Sequence, residues 1–317
     1  MKLHQLRALV MIADCGSIRA AARQLGISQT AVAKALRELE EGLQLPLLMR
    51  NASGVVLTGY GQSLLQHARQ MLNQLERAQL ELAHLSDQAQ GNLCLGISPW
   101  MGMTLLPEVV TLFRQRMPRV RLEVFEGLMA VTLPRLRDGT MELAVGLVSS
   151  LLPRPEYASE QILSYRMAVV SRHDHPLRDC RSIHDLVEQD WVVNYPDIGY
   201  DFLMNELFWQ HGAQIDMQHI HRAQSPQLTL SMVEQTDMLS YFPEPVLTVP
   251  YYRERARRLE LVEEFATDTI GIVTPRNAQM GVAAQCFVEC MFQVLRRRAR
   301  STRPEDVRLF DTLELLI

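Results

Sequence analysis

The sequence predicts a multidomain chain of mixed α and α/β class: a winged helix–turn–helix head, a long linker helix and a two-lobed α/β body. Three observations carry this. Two helical segments between Ser17 and Glu40 meet at a corner too short for a loop. Residues 59–86 run without proline, with apolar side chains at helical spacing. From Asn92 onward, short apolar runs alternate with amphipathic ones, the pattern of βαβ units.

In the head, Ser17 opens the first helix, its hydroxyl suited to accept from free amides of the first turn. Ile18, Ala21, Ala22 and Leu25 form its inner face, and the small alanines let two helices cross closely. Gly26 stands where a left-handed residue ends the helix, and Ile27 is expected to plug the corner. Ser28 caps a second helix, read as Ser28–Leu43, whose apolar face is Val32, Ala35, Leu36 and Leu39. Gln29, Thr30, Ala33, Lys34 and Arg37 then face outward. Such a helix fits a major groove, with its first turns at base edges and its cations near phosphates. Leu47–Arg50 and Val55–Leu57 flank the turn formers Asn51-Ala-Ser-Gly54 and read as a β-hairpin wing. The expected DNA-contacting set is Ser28, Gln29, Thr30, Ala31, Ala33, Lys34, Arg37, Arg50, Asn51 and Ser53, although Asn51 and Ser53 serve equally as turn formers. An ordinary helical hairpin with solvated Lys34 and Arg37 is the alternative.

Up to about Gly61 the chain resembles the DNA-binding domain of LysR-type transcriptional regulators. The resemblance rests on Gly16-Ser17, Ala21-Ala22, Leu25, Ser28-Gln29, Ala31, Leu39-Glu40, Leu43, Leu47, Arg50, Leu57-Thr58 and Gly61. The chain departs from the usual pattern at Thr30 (usually Pro), Ala33 (Ser), Gln44 (Gly), Leu48 (Phe) and Tyr60 (Ala). A hydroxyl gained at 30 and lost at 33 bears on which bases or phosphates are touched, not on the fold. The resemblance extends more loosely over nearly the whole length. It implies a bacterial transcription factor that pairs with itself and carries an effector domain built like type 2 periplasmic binding proteins.

The chain has 317 residues, more than one compact core usually holds. Its net charge of −4 divides unevenly: residues 1–60 carry seven cations and four anions, net +3, and the remainder is −7. A modestly basic end on an acidic body suits one DNA-touching module, with dimerisation needed for useful affinity. The five cysteines, Cys15, Cys94, Cys180, Cys286 and Cys290, contain no CxxC pair. Reduced thiols in a cytoplasmic protein are the simple account. No apolar run approaches a membrane span, and the first residues lack the pattern of a secretory signal.

The stripe of the long helix is Leu64, Leu65, Ala68, Met71, Leu72, Leu75, Ala78, Leu82 and Leu85. A small wing domain cannot cover all of it, so pairing with the same helix of a second copy is expected, presenting two recognition helices to two half-sites. Packing within one subunit is the alternative. Of these residues, Leu64, Leu65, Ala68, Met71, Leu72, Leu75 and Leu82 are the expected dimerisation set. Gln88-Ala-Gln-Gly91 reads as a hinge. The expected boundaries are 1–58 for the winged domain (helix–turn–helix 18–37), 59–90 for linker and hinge, and 91–300 for the effector domain. Lobe I takes about 91–161 and 267–300, lobe II about 162–266, and 301–317 form an extension of no evident purpose.

In the body, strands are expected at Leu93–Ile97, Val120–Phe125, Glu142–Gly146, Ile162–Ser171, Trp191–Tyr195, Met217–Arg222 and Met238–Phe242. Leu259–Leu261 and Thr269–Val273 are expected to return to the first lobe, and the sheets to be parallel. Helices are expected at Leu105–Arg116, Thr132–Arg137, Phe202–His211, Gln227–Gln235 and about Ala278–Arg298, the last ending in a solvated basic run, Arg296–Arg300. Ligands of such folds sit beyond strand ends. That places Ser98, Pro99, Trp100, Met101, Gly127, Gly146, Leu147, Tyr195, Pro196, Phe202, Tyr241 and Phe242 at an effector cleft, although aromatics alone are as often core. An aromatic or other organic acid is the expected effector, its anionic group on Ser98 and its ring stacked on aromatics.

No cofactor or metal is expected. His173-Asp-His175 and His219-Ile-His221 lack a third ligand nearby. Cys286 and Cys290, one helical turn apart, are poorly placed for a disulfide and read as core. An enzyme or a pure interaction protein is the rival class, but nucleophile elbow, phosphate loop and metal-ligand helix are all missing. The expected partners are double-stranded promoter DNA, a small-molecule effector and the chain itself as homodimer or homotetramer. RNA polymerase is a further one, and no membrane is expected.

Overall fold

A computed structural model describes the chain except residues 52–53, 86–90, 128, 149–151, 154, 195–198 and 277, with the backbone alone described at 50, 51, 54, 76, 77, 80–85 and 130. The chain divides into two compact units. One holds Met1–Leu93, Arg119–Arg121 and Leu133–Glu142; the other holds Cys94–Pro118, Leu122–Thr132 and Leu143–Ile317.

The first unit starts with three helices, α1 (Leu3–Cys15), α2 (Ile18–Leu25) and α3 (Gln29–Leu43). Ser17 and Ser28 cap α2 and α3 by accepting from the amides of Ala20 and Ala31, each at 3.1 Å. Leu9 and Ile12 of α1, Ala21 and Ala22 of α2 and Val32, Ala35, Leu36 and Leu39 of α3 form one core. Truncating Leu39 to Ala in such a core costs about 2–5 kcal/mol. Gly26 ends α2 at φ 67° as expected. Ile27, however, does not plug the corner. Its amide bonds to the Ala22 carbonyl at 3.1 Å and its side chain is exposed, because the helices already close on alanines.

The hairpin is β1 (Leu48–Asn51) paired antiparallel with β2 (Gly54–Leu57). It is tied to α3 by Glu40, whose carboxylate accepts from the amides of Leu47 at 2.7 Å and Leu48 at 3.1 Å. Thr58 donates to the Pro46 carbonyl at 2.7 Å and accepts from the Gly61 amide, starting α4 (Gly59–Leu85). A Cβ on Gly61 would lie 2.1 Å from the Leu47 carbonyl oxygen, so only glycine fits there.

After α4 the elements are β3 (Gly91–Ile97), α5 (Pro99–Thr104), α6 (Leu106–Arg116), β4 (Val120–Glu126), α7 (Met129–Arg137) and β5 (Leu143–Leu147). There follow β6 (Tyr157–Arg172), β7 (Trp191–Val193), α8 (Tyr200–Leu207), β8 (Ile220–Arg222), α9 (Pro226–Gln235), β9 (Ser240–Pro243), α10 (Pro250–Arg253) and β10 (Ala256–Arg258). The chain closes with β11 (Thr267–Pro275), α11 (Val282–Ala299), α12 (Pro304–Phe310) and β12 (Leu313–Leu315). The main sheet has the order β10-β6-β11-β5-β3-β4, with β12 and β9 also on β6.

The expected parallel pairing holds only in part. β3–β5 and β7–β8 are parallel, but β11 runs antiparallel to β5 and β6. β11 is the return strand, so it enters from the other end. β6 is longer than the expected Ile162–Ser171 and belongs to both lobes. Tyr157–Arg166 pairs with β11, Met167–Val170 with β9 and Val170–Arg172 with β10. Leu259 and Leu261 pack in the lobe II core with Trp191 and Phe208, so they do not return to lobe I. Gly91 begins β3, because its backbone enters the ladder, while the rest of the expected hinge, 88–90, lies outside the described residues. Ala278 precedes α11, which starts at Val282.

The extension has a structural place. The Arg298 guanidinium donates to Asp306 at 2.5 Å and to the Thr104 carbonyl, so the basic run is not wholly solvated. β12 then pairs with Leu163–Tyr165 of β6, and the Leu316 amide donates to the Ile162 carbonyl at 3.0 Å.

Gln44 ends α3 at φ 55°, and among the described residues no other non-glycine has positive φ. A side chain there costs more than the extra unfolded-chain freedom of glycine. Gln44→Gly is therefore expected to stabilise the winged domain by about 0.5–1 kcal/mol, read as a higher urea midpoint by helical circular dichroism. A lower midpoint would contradict the strain.

Candidate functional site

The outer side of α3 follows from its inner side. With Val32, Ala35, Leu36 and Leu39 buried, helical geometry leaves Ser28, Gln29, Thr30, Ala31, Lys34 and Arg37 exposed, while Ala33 is half-buried. Thr30 is held by its own helix start, its hydroxyl 2.8 Å from Ser28 Oγ. Gln29 projects beside it as a long amide free to present donor and acceptor together. Lys34 stays in solvent, its ammonium 3.7 Å from Glu38. The backbones of Arg50 and Asn51 lie in β1, whereas Ser53 lies outside the described residues. Glu40, which anchors the wing, was legible as a signature residue but not as an anchor.

The linker stripe is partly used within the chain. Leu64 packs in part on the helical core and Ala68 is fully buried, so Ala68 is corrected as a partner contact. Their neighbour is α1, which the sequence pattern did not place against α4. Leu65, Leu72 and Leu75 are half-buried, Met71 is exposed, and the side chain of Leu82 lies outside those described.

The second site gathers on β6 and β11, where Tyr165 and Asp268 stand opposite one another. The Tyr165 hydroxyl donates to Asp268 at 3.2 Å. From lobe I, the Trp100 ring packs on Tyr165 with centroids 5.2 Å apart. Lobe II contributes Tyr241, whose hydroxyl donates to Glu206 of α8 at 2.9 Å. Burial pushes the Glu206 carboxyl above its ordinary range, and the charge of Asp268 adds to the effect. Burial raises Asp268 as well, against the opposing hydrogen bond from Tyr165. Both phenols are held protonated by burial and the neighbouring carboxylates, and so act as donors.

Of the expected effector residues, Trp100 and Tyr241 reach this cluster. Met101 is buried in α5. Phe242 follows Tyr241 on β9 and so points to the opposite sheet face. Ser98 does not cap α5 with its side chain, and its amide is taken by the Val145 carbonyl at 2.7 Å. Pro99 fills the first position of that helix. Gly146 is covered by Met129, whose Cε would lie 2.4 Å from an added Cβ, and Gly127 is crowded by Val131. Leu147 pairs with Ile270 in the sheet, and Phe202 is half-exposed. Tyr195 and Pro196 lie outside the described residues. Tyr165, Glu206 and Asp268 were missed. The available signal was Glu206 itself, an acid among the buried Met204, Leu207 and Phe208.

The histidines have local roles. His175 is buried, accepting from the Leu177 amide at Nδ1 and donating from Nε2 to the Asp237 carbonyl, each at 3.0 Å. His219 and His221 both face Asp190, at 2.8 and 3.9 Å. Burial, with the neighbouring Cys286, pushes the Cys290 thiol up to about 11, away from reactive thiolate.

Comparison with known proteins matches residues 3–62 to the model of the bacterial regulatory helix-turn-helix protein, lysR family, and residues 86–296 to the LysR substrate binding domain. Among curated proteins, the chain is 23% identical over 274 residues to the transcriptional regulator TdcA of Escherichia coli K12, covering 86% of this chain and 87% of TdcA. It is 33% identical over 177 residues to HcaR, the hca operon transcriptional activator of the same strain, covering 56% and 59%. Solved structures of like fold include a full-length cysteine-to-aspartate variant of OxyR from Pseudomonas aeruginosa, with TM-score 0.67, 18% identity and coverage of 92% and 94%. Full-length CbnR complexed with its target DNA aligns with TM-score 0.64, 18% identity and coverage of 93% and 100%.

The raised carboxyl of Glu206 has a consequence for stability. The folded state holds its proton to higher pH than the unfolded chain, so the cost of burying the charge is absent below the ordinary carboxylate range. That cost grows as pH rises through the raised value. Glu206→Gln keeps an acceptor for Tyr241 and removes the charge. Its melting temperature is expected to exceed wild type by more at pH 7.5 than at pH 5. An offset unchanged between the two would contradict the buried charge.

Proposed function

The chain belongs to the LysR-type family of DNA-binding transcriptional regulators, and from that premise we propose how its residues divide the work. The exposed start of α3 reads a promoter half-site. Gln29 presents a donor and an acceptor to a base edge, the geometry by which glutamine pairs with adenine. Lys34 and Arg37 meet phosphates, and Arg50, Asn51 and Ser53 hold the wing to the backbone. The single observation that supports this reading most is the capped α3, buried on one side and polar on the other. Leu65, Met71, Leu72, Leu75 and Leu82 of α4 pair with a second copy, as homodimer or homotetramer, so that two α3 helices meet two half-sites. Effector binding between the lobes shifts an equilibrium between settings of those helices.

The protein acts as a regulator in the cytoplasm, not as an enzyme, and RNA polymerase is the partner through which a bound regulator changes transcription. Among the described residues no helix is long and apolar enough to cross a membrane.

The test is a gel shift with DNA lying just upstream of the chain's own coding region. Sequence-dependent retardation is expected; its absence would overturn the reading. Lys34→Ala or Arg37→Ala should weaken binding to all sequences and flatten the log–log salt dependence by about 1 for each phosphate that is no longer neutralised. Salt slopes equal to wild type would remove both residues from the phosphate-binding set.

A further inference from the structure

Glu206 and Asp268 are an unusual pair of acids to find in a largely buried aromatic cluster. Each carboxylate accepts from a single phenol, Tyr241 and Tyr165, although a carboxylate has about four acceptor positions. Among the described residues no cation pairs with either. His211 meets Glu206 through the backbone carbonyl, at 3.2 Å from Nε2. Burying charge is costly unless it is paired.

A second observation is independent of the acids. Trp100 Nε1–H is 1% exposed as a residue and has no hydrogen-bond partner. It faces the Tyr165 hydroxyl at the edge of the same cluster, without a hydrogen bond of full distance and angle to it. A buried indole donor without an acceptor calls for one from outside the chain. The aromatic walls, Trp100, Tyr165, Tyr241 and Phe265, the last 5.3 Å from Tyr241, suit an organic cation.

We propose that this cluster takes a small organic amine bearing a hydrogen-bond acceptor. Its ammonium lies between Glu206 and Asp268, and its acceptor lies on Trp100 Nε1–H. This rests on the reading of the chain as an effector-controlled regulator and replaces the organic acid expected from sequence. The cluster is acidic, and Ser98 offers an anion no capped helix start. Ammonium binding favours the ionised form of both carboxylates.

The experiment uses the full chain at pH 7.5 with tyramine, 2-phenoxyethylamine and ethanolamine as amine probes. Matched 3-phenylpropionate and 4-hydroxyphenylacetate serve as acids. Thermal shift and calorimetry read binding. At least one amine is expected to raise the melting temperature, while the acids do not. Glu206→Gln and Asp268→Asn, which keep the shape and the phenol acceptor, should weaken that amine about ten- to a hundredfold. Stabilisation by the acids, by no probe, or by amines equally in both variants would overturn the inference. The same samples are tested for retention of the upstream DNA. Specific retention without amine binding sinks this inference alone, and loss of retention sinks the regulator reading beneath it.

Discussion

One helix face determines what the amino-terminal unit presents to solvent. Val32, Ala35, Leu36 and Leu39 must be buried against α1 and α2, and a helix turning 100° per residue then has no freedom over where its polar side chains go. Ser28 fixes where the helix starts, so it also fixes which residues occupy the first exposed turn. Glu40, on the same helix, anchors the hairpin through two backbone amides. Recognition surface and wing are thus set by one rod, and a shift in its packing moves both.

The second unit depends on a comparable economy. β6 is sixteen residues of continuous strand, and its hydrogen bonds pass from β11 to β9 and β10 along its length. The lobes therefore share backbone, and a group on that strand feels both. Tyr165 sits where partners change, with Asp268 opposite, Trp100 from one lobe, and Tyr241 and Glu206 from the other. The β12 strand adds a further ladder to the same three residues, Leu163–Tyr165. Polar groups that are few and buried have strong mutual influence in such a place.

The head was legible because its signals are local. Ser17, Gly26 and Ser28 mark helix ends through their own backbone chemistry, and the spacing of Val32, Ala35, Leu36 and Leu39 needs no tertiary knowledge. The body was legible as alternation and not as topology. Nothing in Thr269–Val273 says whether it runs parallel or antiparallel, since both ladders bury the same apolar residues. The Tyr165–Asp268 cluster was least legible. Strand ends pointed to Trp100 and Tyr241, but Asp268 and Tyr165 meet across 103 positions of sequence, a pairing set by register alone. Ile27 was misplaced for a related reason: a side chain's direction at a tight corner depends on φ and ψ that composition does not state.

The account stands or falls on whether the exposed start of α3 reads sequence. Selecting binding sites from a pool of random duplexes with wild type and with Gln29→Ala measures this directly. A pair of symmetric half-sites is expected from wild type, with preference lost in the variant at one position of each half-site and kept elsewhere. An identical consensus from both proteins, or none from wild type, would contradict it.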